Sequence, residues 1–394
     1  MAKLLMISGD RSLAEGKRGA FYNTLEEFRK YWDRIDVICP KVQPSSRAQA
    51  EGSPKSNLRP ELRPREVQSR QPFSNVFIHP SSWPLIFQHF WIWKKGGQLF
   101  KENKFDLITV HDYPPFYNGI GARLLWSKIK VPYILEIFHI PGYPKASGIK
   151  EYFYKILALL FLRYDAKKAK NIRIINQSQA RPFLLKADIP ASKIIYAPAF
   201  YIDLTVFYPK EVKKEYDLIF IGRLVKNKGV DLLIKAVINT KHQTPNIKCL
   251  IMGAGSLKEK LKIKIKNLKL QDNVLLYGWA KDSNEVAELI NKSRILVMPS
   301  YNEGGPRVVL EAIACGVPVI ATSVGIVPDV IKDGESGDII DWKAEDISQK
   351  IIRLLNDKER YERYSRNGFE IVKRFEKTET VRNYADKLKE IIKP

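Results

Sequence analysis

Residues 295–312 read ILVMPSYNEGGPRVVLEA and combine a strand, a loop and the start of a helix. The first four residues are short and wholly apolar, as expected of a strand buried on both faces of a parallel sheet. Pro299 ends the strand, and a Gly-Gly-Pro loop opens the helix. The free N–H groups at such a helix start form an anion site. Glu303 and Glu311 bracket this predicted site.

The two glutamates could in principle be the acid and base of a glycosidase. Eight helical residues separate them by roughly 12 Å, whereas glycosidase carboxylates lie about 5–9.5 Å apart. Glu303 also precedes the helix, so we expect the two to hold different parts of one ligand. The structural alternative is that Glu303 only favours the positive helix end and Glu311 is a surface residue. The apolar neighbours of Glu311 argue against that alternative.

Residues 217–229 read DLIFIGRLVKNKG and form a second strand, turn and helix start. Gly222 permits a tight exit from the strand. Arg223 and Lys228 then project near the carboxyl edge of the sheet, where open α/β sheets bind ligands. Two cations at this edge suit a diphosphate. A solvated basic loop is the alternative.

Short apolar runs alternate with amphipathic stretches over most of the chain, which indicates parallel sheets covered by helices. We predict a first α/β domain over residues 1–205 and a second over residues 206–372. A C-terminal helix over residues 373–394 is expected to pack back on the first domain. Residues 44–75 are rich in Pro, Ser, Arg and Gln, which predicts a long surface loop or disordered insertion.

Composition excludes a disordered chain, because 45% of the 394 residues are hydrophobic and 28% are charged. The net charge is +23, and residues 1–205 hold 32 basic and 17 acidic residues. The first half is therefore the expected face for a polyanion or an anionic membrane. Three widely spaced cysteines offer neither a zinc site nor a disulfide framework.

No signal peptide or membrane-spanning segment is predicted. The longest apolar run covers residues 156–162, whereas a spanning helix needs about 20 residues. The amino terminus lacks the apolar stretch and cleavage site of a secretory signal. We therefore predict a cytoplasmic protein, with attachment to the inner face of the cytoplasmic membrane left open.

Together these motifs resemble the retaining family 4 glycosyltransferases, also called glycosyl transferases group 1. The resemblance runs in order through residues 215–340, and rests on Glu303-x7-Glu311, ACGVPVIAT at 314–322, the segment 222–229, the glycine turn at 253–255 and the loop 324–334. Two residues depart from the family pattern. Ile326 stands where members often have a second glycine, and Asp329 where they often have Glu, which leaves the role of this loop open.

The resemblance implies the GT-B fold, in which two Rossmann-like, doubly wound domains face each other across a cleft. It implies that Arg223 and Lys228 hold the diphosphate of a nucleotide sugar, after the strand that ends at Gly222. Glu303 would face the donor sugar together with the amides of the next two residues. The residues of this donor site are Gly222, Arg223, Lys228, Glu303, Gly304, Gly305 and Glu311, and Glu311 would bind the ribose.

The resemblance also implies a UDP- or GDP-linked donor, retention of configuration, and no metal or other cofactor. No Asp-x-Asp motif occurs in the chain, in agreement with the absence of a metal. Two cations could replace Mg²⁺ at the leaving group. In the front-face mechanism assigned to this family, the leaving phosphate accepts the proton of the acceptor, so no protein nucleophile is needed.

Three residues of the first half could serve this reaction. His139 ends a buried strand where the family often has a histidine near the transferred sugar, and with Glu303 it is the predicted catalytic pair; a structural histidine is the alternative. Gly19 could let the backbone approach phosphate or acceptor, or it is only a turn residue. His111 is a second choice, on the acceptor side or structural.

Residues 83–95 and 149–173 combine aromatic side chains with lysine and arginine. Such a combination suits an anionic bilayer interface. A core helix with a solvated basic face is the alternative. Nucleic acid is not an expected partner, because no nucleic-acid motif is present.

We therefore predict an enzyme that transfers a sugar from a nucleotide sugar to a hydroxyl of a glycan or lipid-linked acceptor. A nucleotide-sugar epimerase on the same fold is one alternative. A phosphorylase is another, although it would need a pyridoxal-phosphate lysine and usually a longer chain. The non-enzymatic alternative is an inactive basic scaffold that binds membrane or nucleic acid.

Overall fold

The computed structural model describes residues 2–15, 19–41 and 70–392. The chain divides into two compact units. The first comprises Met1–Ile137, Phe161–Arg173 and Ala385–Pro394, and the second comprises Phe138–Leu160 and Ile174–Tyr384. The predicted domain limits, and the predicted packing of the C-terminal helix, stay predictions.

The first sheet has eight strands in the order β3-β4-β2-β1-β5-β6-β7-β8. Its strands are β1 (Lys3–Ile7), β2 (Arg34–Cys39), β3 (Arg70–Phe73), β4 (Val76–Pro80), β5 (Leu107–His111), β6 (Tyr133–Ile137), β7 (Asn171–Ile174) and β8 (Ile194–Tyr196). Strand β1 pairs in parallel with β2 and β5. The strands are nearly all apolar because they are buried.

Strand β3 corrects one end of the predicted insertion. Residues 42–69 lie outside the described residues, but Arg70–Phe73 form a strand that pairs antiparallel with β4. The prediction that residues 70–73 are irregular is therefore wrong. The strand is short and contains Pro72, which an edge strand tolerates because one side of its backbone needs no partner.

Five α-helices lie in the described residues of the first half of the chain. They are α1 (Ala20–Phe28), α2 (Gln88–Asn103), α3 (Tyr117–Ile129), α4 (Ile149–Ala166) and α5 (Ala180–Lys186). Helices α2 and α3 pack against each other through Gly96, where an added Cβ would lie 2.5 Å from a methyl group of Leu125. Among the described residues, no helix has both the length and the apolar character that crossing a bilayer requires.

The second sheet has six parallel strands in the order β11-β10-β9-β12-β13-β14. They are β9 (Tyr216–Ile221), β10 (Cys249–Met252), β11 (Val274–Gly278), β12 (Ser293–Met298), β13 (Val319–Thr322) and β14 (Asp338–Ile340). The strand order reverses between β9 and β12. A doubly wound sheet binds its ligand at that reversal, outside the carboxyl ends of the strands.

The helices of the second half follow the strands in alternation. They are α6 (Val230–Lys241), α7 (Lys258–Asn267), α8 (Ser283–Asn291), α9 (Arg307–Ala314), α10 (Val327–Val330), α11 (Ala344–Asn356), α12 (Lys358–Val372) and α13 (Lys377–Ile392). Apolar residues of the central strands, such as Ile219 and Leu296, are fully buried beneath them.

Candidate functional site

A cavity of about 220 Å³ lies at the carboxyl ends of β9 and β12, where the strand order reverses. Its walls come from the two strand ends, the loop after β12 and the start of α9; the lining residues are Phe220, Ile221, Lys228, Met298, Ser300, Glu303, Gly305, Pro306, Arg307 and Val308. The structure thus brings together Lys228, Glu303 and Gly305 of the predicted donor site. Gly222, Arg223, Gly304 and Glu311 are not among the residues that line it.

Lys228 and Glu303 form an ion pair between their Nζ and Oε1 atoms. The same carboxylate oxygen accepts a hydrogen bond of 2.9 Å from Ser300 Oγ. Both side chains are largely buried, at 17% and 12% exposure. A second link joins the two loops, because Tyr301 N donates to Asn227 O at 2.8 Å. The loops after β9 and β12 therefore form one wall.

The exit of β9 depends on a close approach of two glycines. Gly222 N donates to Met252 O at 3.0 Å, and a Cβ added to Gly253 would lie 1.8 Å from Gly222 O. Gly253 also has φ +147°, which L side chains rarely adopt. At Gly222 an added Cβ would meet only ordinary contacts, 3.5 Å or more from the Phe220 ring. The protein's own packing demands glycine at 253 rather than at 222.

The loop before α9 is held close to the backbone of the segment after β6. A Cβ on Gly304 would lie 1.8 Å from Phe138 O, so no larger residue fits. Asn176 Nδ2 donates to Gly304 O at 2.9 Å and fixes the same peptide. Helix α9 begins after Pro306 without a side-chain cap and without an acidic residue in its first turn. Its first N–H groups therefore remain available to an anion.

Arg223 and Glu311 belong to the predicted donor site but do not line this cavity, and they differ in exposure to solvent. Arg223 is exposed and makes no side-chain hydrogen bond or ion pair within the described part of the chain. Glu311 lies on α9, where burial raises its carboxyl pKa to about 7 against the lowering effect of Arg307. A carboxyl group poised near neutrality is characteristic of ligand sites.

His139 lies beside the Gly304 loop, and its Nε2 is 3.0 Å from Asn302 Oδ1. Burial lowers the pKa of His139, although the charge of Glu303 opposes this effect. Asn302 is fully buried. No sequence signal marks Asn302 beyond its position directly before Glu303.

The loop 324–334, in which Ile326 and Asp329 depart from the family pattern, is held by hydrogen bonds to the segment before α5. Asp329 accepts hydrogen bonds from the backbone N–H of Gln177 at 2.7 Å and of Ser178 at 3.0 Å. Gly325 N donates to Gln179 Oε1 at 2.7 Å. Ile326 is fully buried in the core. Asp329 therefore anchors the loop to the segment before α5, a role that sequence reasoning left open.

His111, the second candidate histidine of the sequence analysis, belongs to a hydrogen-bonded network of the first unit. Its Nδ1 lies 3.2 Å from Ser8 Oγ and its Nε2 lies 2.9 Å from Glu136 Oε2. Arg173 NH1 pairs with the other oxygen of Glu136 at 2.6 Å. These contacts support the structural alternative for His111.

Gly19 precedes α1 in an extended conformation, and an added Cβ would meet only Ser12 Oγ, at 3.9 Å. The protein's own packing does not demand glycine there. Its neighbours 16–18 lie outside the described residues.

Asp112 and Asp165 form a second buried group that the sequence did not reveal. Oxygens of both carboxyls lie within 2.7 Å of the point that a Cβ on Gly119 would occupy. Gly119 N donates to Asp112 Oδ1 at 3.1 Å, whereas neither carboxyl oxygen of Asp165 has a hydrogen-bond partner in the described part of the chain. Burial raises the pKa of both groups, and the charge of Asp112 adds to the effect at Asp165.

The two aromatic and basic stretches are partly exposed. Ile86 is 59% exposed, Phe87 and Phe90 are 48% exposed, and Lys128 Nζ lies 4.2 Å from the centre of the Trp93 ring. On α4, several apolar side chains face solvent: Ile149, Tyr152, Phe153, Ile156, Leu157 and Leu160. Arg173 is 2% exposed and ion-paired, so its predicted place on a basic surface is wrong.

Among the described residues, no group of three or more His, Cys, Asp or Glu side chains could hold a metal ion. The expected independence from metal stays a prediction.

Residues 205–371 match the family model described as glycosyl transferases group 1. These residues belong to that family. An uncharacterized glycosyltransferase of Methanocaldococcus jannaschii is 29% identical over 289 residues, which cover 72% of this chain and 75% of the relative. A D-inositol 3-phosphate glycosyltransferase of an Arthrobacter species is 32% identical over 170 residues, or 40% of each protein. The protein is therefore a glycosyltransferase enzyme, as predicted.

Solved structures show the fold across the whole chain. Sucrose-phosphate synthase from Thermosynechococcus elongatus has a TM-score of 0.77 at 16% identity and covers 99% of both chains. Anabaena HepE, solved in complex with UDP-glucose, has a TM-score of 0.73 at 17% identity, covering 99% of this chain and 100% of that one. The predicted GT-B fold of two parallel-sheet α/β domains is confirmed.

Proposed function

We propose that this glycosyltransferase transfers a hexose from a nucleoside-diphosphate sugar to an acceptor hydroxyl, with retention of configuration and without a metal. The observation that carries the proposal is the cavity at the strand reversal of the second sheet. One cation, one carboxylate and an uncapped helix start converge there. These are the groups that a diphosphate and a sugar require.

The diphosphate would lie between the exit of β9 and the start of α9. Glycine at 222 supports this position, because protein packing leaves room for a side chain there. A ligand that approaches the backbone closely gives a reason for the glycine. Arg223, which has no protein partner in the described ranges, would swing to the phosphate oxygens.

Lys228 would then divide its charge between the β-phosphate and Glu303. In the structure its ammonium neutralises Glu303, and Ser300 donates to the carboxylate. A sugar hydroxyl could donate to Glu303, while the leaving phosphate gains charge beside Lys228 and the helix start. Stabilisation of that developing charge is the main catalytic contribution of such a site.

The donor classes follow from solved relatives of the fold. HepE binds UDP-glucose in its crystal structure, and a UDP-linked hexose is therefore the first candidate, with a GDP-linked hexose as the second. Glu311 would accept hydrogen bonds from the ribose. The acceptor would be a glycan or lipid-linked hydroxyl.

A membrane-associated acceptor is supported by the exposed stretch around α2. Residues 71–101 contain lysines but no aspartate or glutamate. Exposed apolar side chains of residues 85–93 lie in the same stretch. This composition suits adsorption to an anionic bilayer, and the inner face of the cytoplasmic membrane is the surface that we propose.

A thermal-shift panel of UDP, GDP, ADP and their hexose conjugates tests the donor, with and without EDTA. A nucleotide at 100 times its dissociation constant should stabilise the protein by about 2.7 kcal/mol. Incubation with the bound donor alone, and then with candidate acceptors, separates transfer from epimerisation. No stabilisation by any nucleotide, or a strict requirement for Mg²⁺ or Mn²⁺, would contradict the site as proposed.

A further inference from the structure

The side chain of Asn302 connects His139 to the segment before and within α4. Its Oδ1 lies 3.0 Å from His139 Nε2. Its Nδ2 lies 3.0 Å from Lys145 O and 2.8 Å from Glu151 Oε2. Asn302 has no exposed surface, so water cannot replace these partners.

Two backbone groups fix the direction of every hydrogen bond in this network. The carbonyl of Lys145 can only accept, so the atom of Asn302 that faces it must be the NH₂ group. Ser147 N can only donate, and it donates to Glu151 Oε2 at 2.7 Å, which makes that oxygen an acceptor. The amide of Asn302 therefore has one orientation, with its oxygen toward His139.

That orientation sets the tautomer of the imidazole. Because Asn302 Oδ1 can only accept, His139 Nε2 must carry the proton. A neutral imidazole with a proton on Nε2 has a lone pair on Nδ1. Burial, with Lys228 nearby, favours the neutral ring by lowering the pKa of His139; Glu303 and Glu151 act in the opposite direction.

We propose that Asn302 is a positioning residue that holds His139 as the Nε2–H tautomer, so that Nδ1 accepts a hydrogen bond from a hydroxyl of the donor sugar. Nδ1 has no hydrogen-bond partner within the described residues. His139 lies against the Gly304 loop, with its Cβ 3.3 Å from the place of a Gly304 Cβ. The inference rests on the proposed function, because it assumes that the sugar lies beside this loop.

The tautomer can be measured without any substrate. Long-range ¹H–¹⁵N NMR of the full chain distinguishes the Nε2–H tautomer, the Nδ1–H tautomer and the imidazolium of His139, assigned with a His139→Gln sample. We expect the Nε2–H form at pH 7. Glu151→Gln should keep this form, because a glutamine oxygen can accept from Ser147 N and Asn302 Nδ2 as the glutamate does. An Nδ1–H form in the wild type would overturn the proposal.

Asn302→Asp tests the catalytic consequence. A carboxylate against Nε2 stabilises the imidazolium and raises the pKa of His139, and the imidazolium has no lone pair on Nδ1. At pH 7 we expect kcat/KM to fall about 3- to 10-fold, the loss of one hydrogen bond to a neutral group. The loss should reverse as the pH rises past the new pKa, whereas a purely structural defect would not recover.

Asn273→Asp is the matched control. Asn273 is also a buried asparagine of the second unit, and its Nδ2 donates to two backbone carbonyls, Pro245 O and Ile247 O, each at 2.9 Å. This variant should lower stability without changing the pH profile or the His139 signals. A flat pH profile for Asn302→Asp would overturn the proposal. Nucleotide binding of the wild type in the thermal-shift assay separates this result from failure of the donor site, because absence of nucleotide binding counts against the proposed function instead.

Discussion

The difference between Arg223 and Lys228 is visible only in three dimensions. In the sequence both are cations of the loop between a predicted strand and a predicted helix, with similar expected effects. In the structure Arg223 is exposed, whereas Lys228 is ion-paired to a largely buried Glu303. Their substitution should therefore have different consequences for folding.

Arg223→Ala should leave the free energy of unfolding within about 0.5 kcal/mol, because an exposed unpaired side chain is lost. Lys228→Ala should cost about 1–3 kcal/mol, because it leaves the Glu303 carboxylate without its cation. Both variants should lose most nucleotide affinity. Urea denaturation and calorimetric titration measure the two effects; normal nucleotide affinity in both variants would exclude the proposed diphosphate contacts.

The Glu311 carboxyl should make donor binding sensitive to pH. Its pKa is about 7 in the folded protein and 4.5 as an ordinary glutamate. The folded state thus binds this proton more tightly, and its contribution to stability falls as the pH rises from about 4.5 to 7. If ribose hydroxyls donate to the carboxylate, the nucleotide prefers the ionised form. Affinity should then rise about tenfold between pH 6 and pH 8.

Glu311→Gln is the control for this titration. The amide keeps the shape of the side chain but does not ionise, so the remaining pH dependence belongs to the nucleotide and to other groups. Calorimetric titrations of both proteins at pH 6, 7 and 8 give the comparison. Parallel pH profiles for the wild type and the variant would remove Glu311 from the ribose site.

At the scale of elements, the sequence pattern predicted the elements around the candidate site well. The helix predicted to open after the Gly-Gly-Pro loop is α9, Arg307–Ala314, and the strand predicted before Gly222 is β9, Tyr216–Ile221. Both belong to a parallel sheet whose strands are continuously apolar, which is a strong local signal. Strand β3 was missed because four residues that include a proline carry no such signal.

The candidate site was predictable in its motifs but not in its contacts. The two glycine-rich loops are sequence features, whereas the Asn302 network and the Asp112–Asp165 pair join residues 53 to 163 positions apart. Such pairs depend on which strand ends become neighbours in the sheet. Neither periodicity nor residue spacing in one sequence predicts that strand order.

The stretch from residue 85 to 95 forms the first half of α2 and the short 3-10 helix before it, and we expect it to bind anionic vesicles. Each lysine near an anionic surface contributes about 1 kcal/mol, and the exposed Ile86, Phe87 and Phe90 add apolar contact. Sedimentation with vesicles rich in phosphatidylserine should weaken steeply with salt and vanish on neutral lipid. Ile86→Ser with Phe87→Ser should reduce binding at constant charge.

A charge-matched pair of variants identifies the surface. Lys94→Glu with Lys95→Glu should abolish sedimentation, whereas Lys260→Glu with Lys266→Glu changes the net charge equally on exposed positions of α7. The second pair should bind as the wild type does. Equal loss in both pairs would mean that only the net charge acts, and a wild type that stays in the supernatant at low salt would mean that the stretch is merely solvated.

At the scale of the whole molecule, the excess of basic residues and the candidate cavity lie in different parts of the chain. Residues 1–205 carry 32 basic against 17 acidic residues, whereas the candidate cavity belongs to the second unit. Nucleotide binding and the titration of the Asp112–Asp165 pair should therefore act on different parts of the chain. A nucleotide should stabilise the second unit through the cavity, and the buried Asp112–Asp165 pair should make the stability of the first unit depend on pH.

Stability of the first unit should fall as the pH rises from about 4 to 8. Burial raises the pKa of Asp112 to about 7 and that of Asp165 to about 8, both from 3.8. A carboxyl group with a raised folded pKa binds its proton more tightly in the folded state, so unfolding becomes easier as that proton is lost. Asp165→Asn removes one charge from the pair and keeps its volume. It should therefore raise the free energy of unfolding by about 1–3 kcal/mol at pH 8 and by much less at pH 5.

Urea denaturation at both pH values, followed by tryptophan fluorescence, measures this change, because five of the seven tryptophans lie before residue 138. Asp33→Asn, at a solvent-exposed position of the same unit, is the control and should leave the pH dependence intact. An equal effect of Asp165→Asn at pH 5 and pH 8 would contradict this prediction, because it would show that the pair keeps the same protonation state at both pH values.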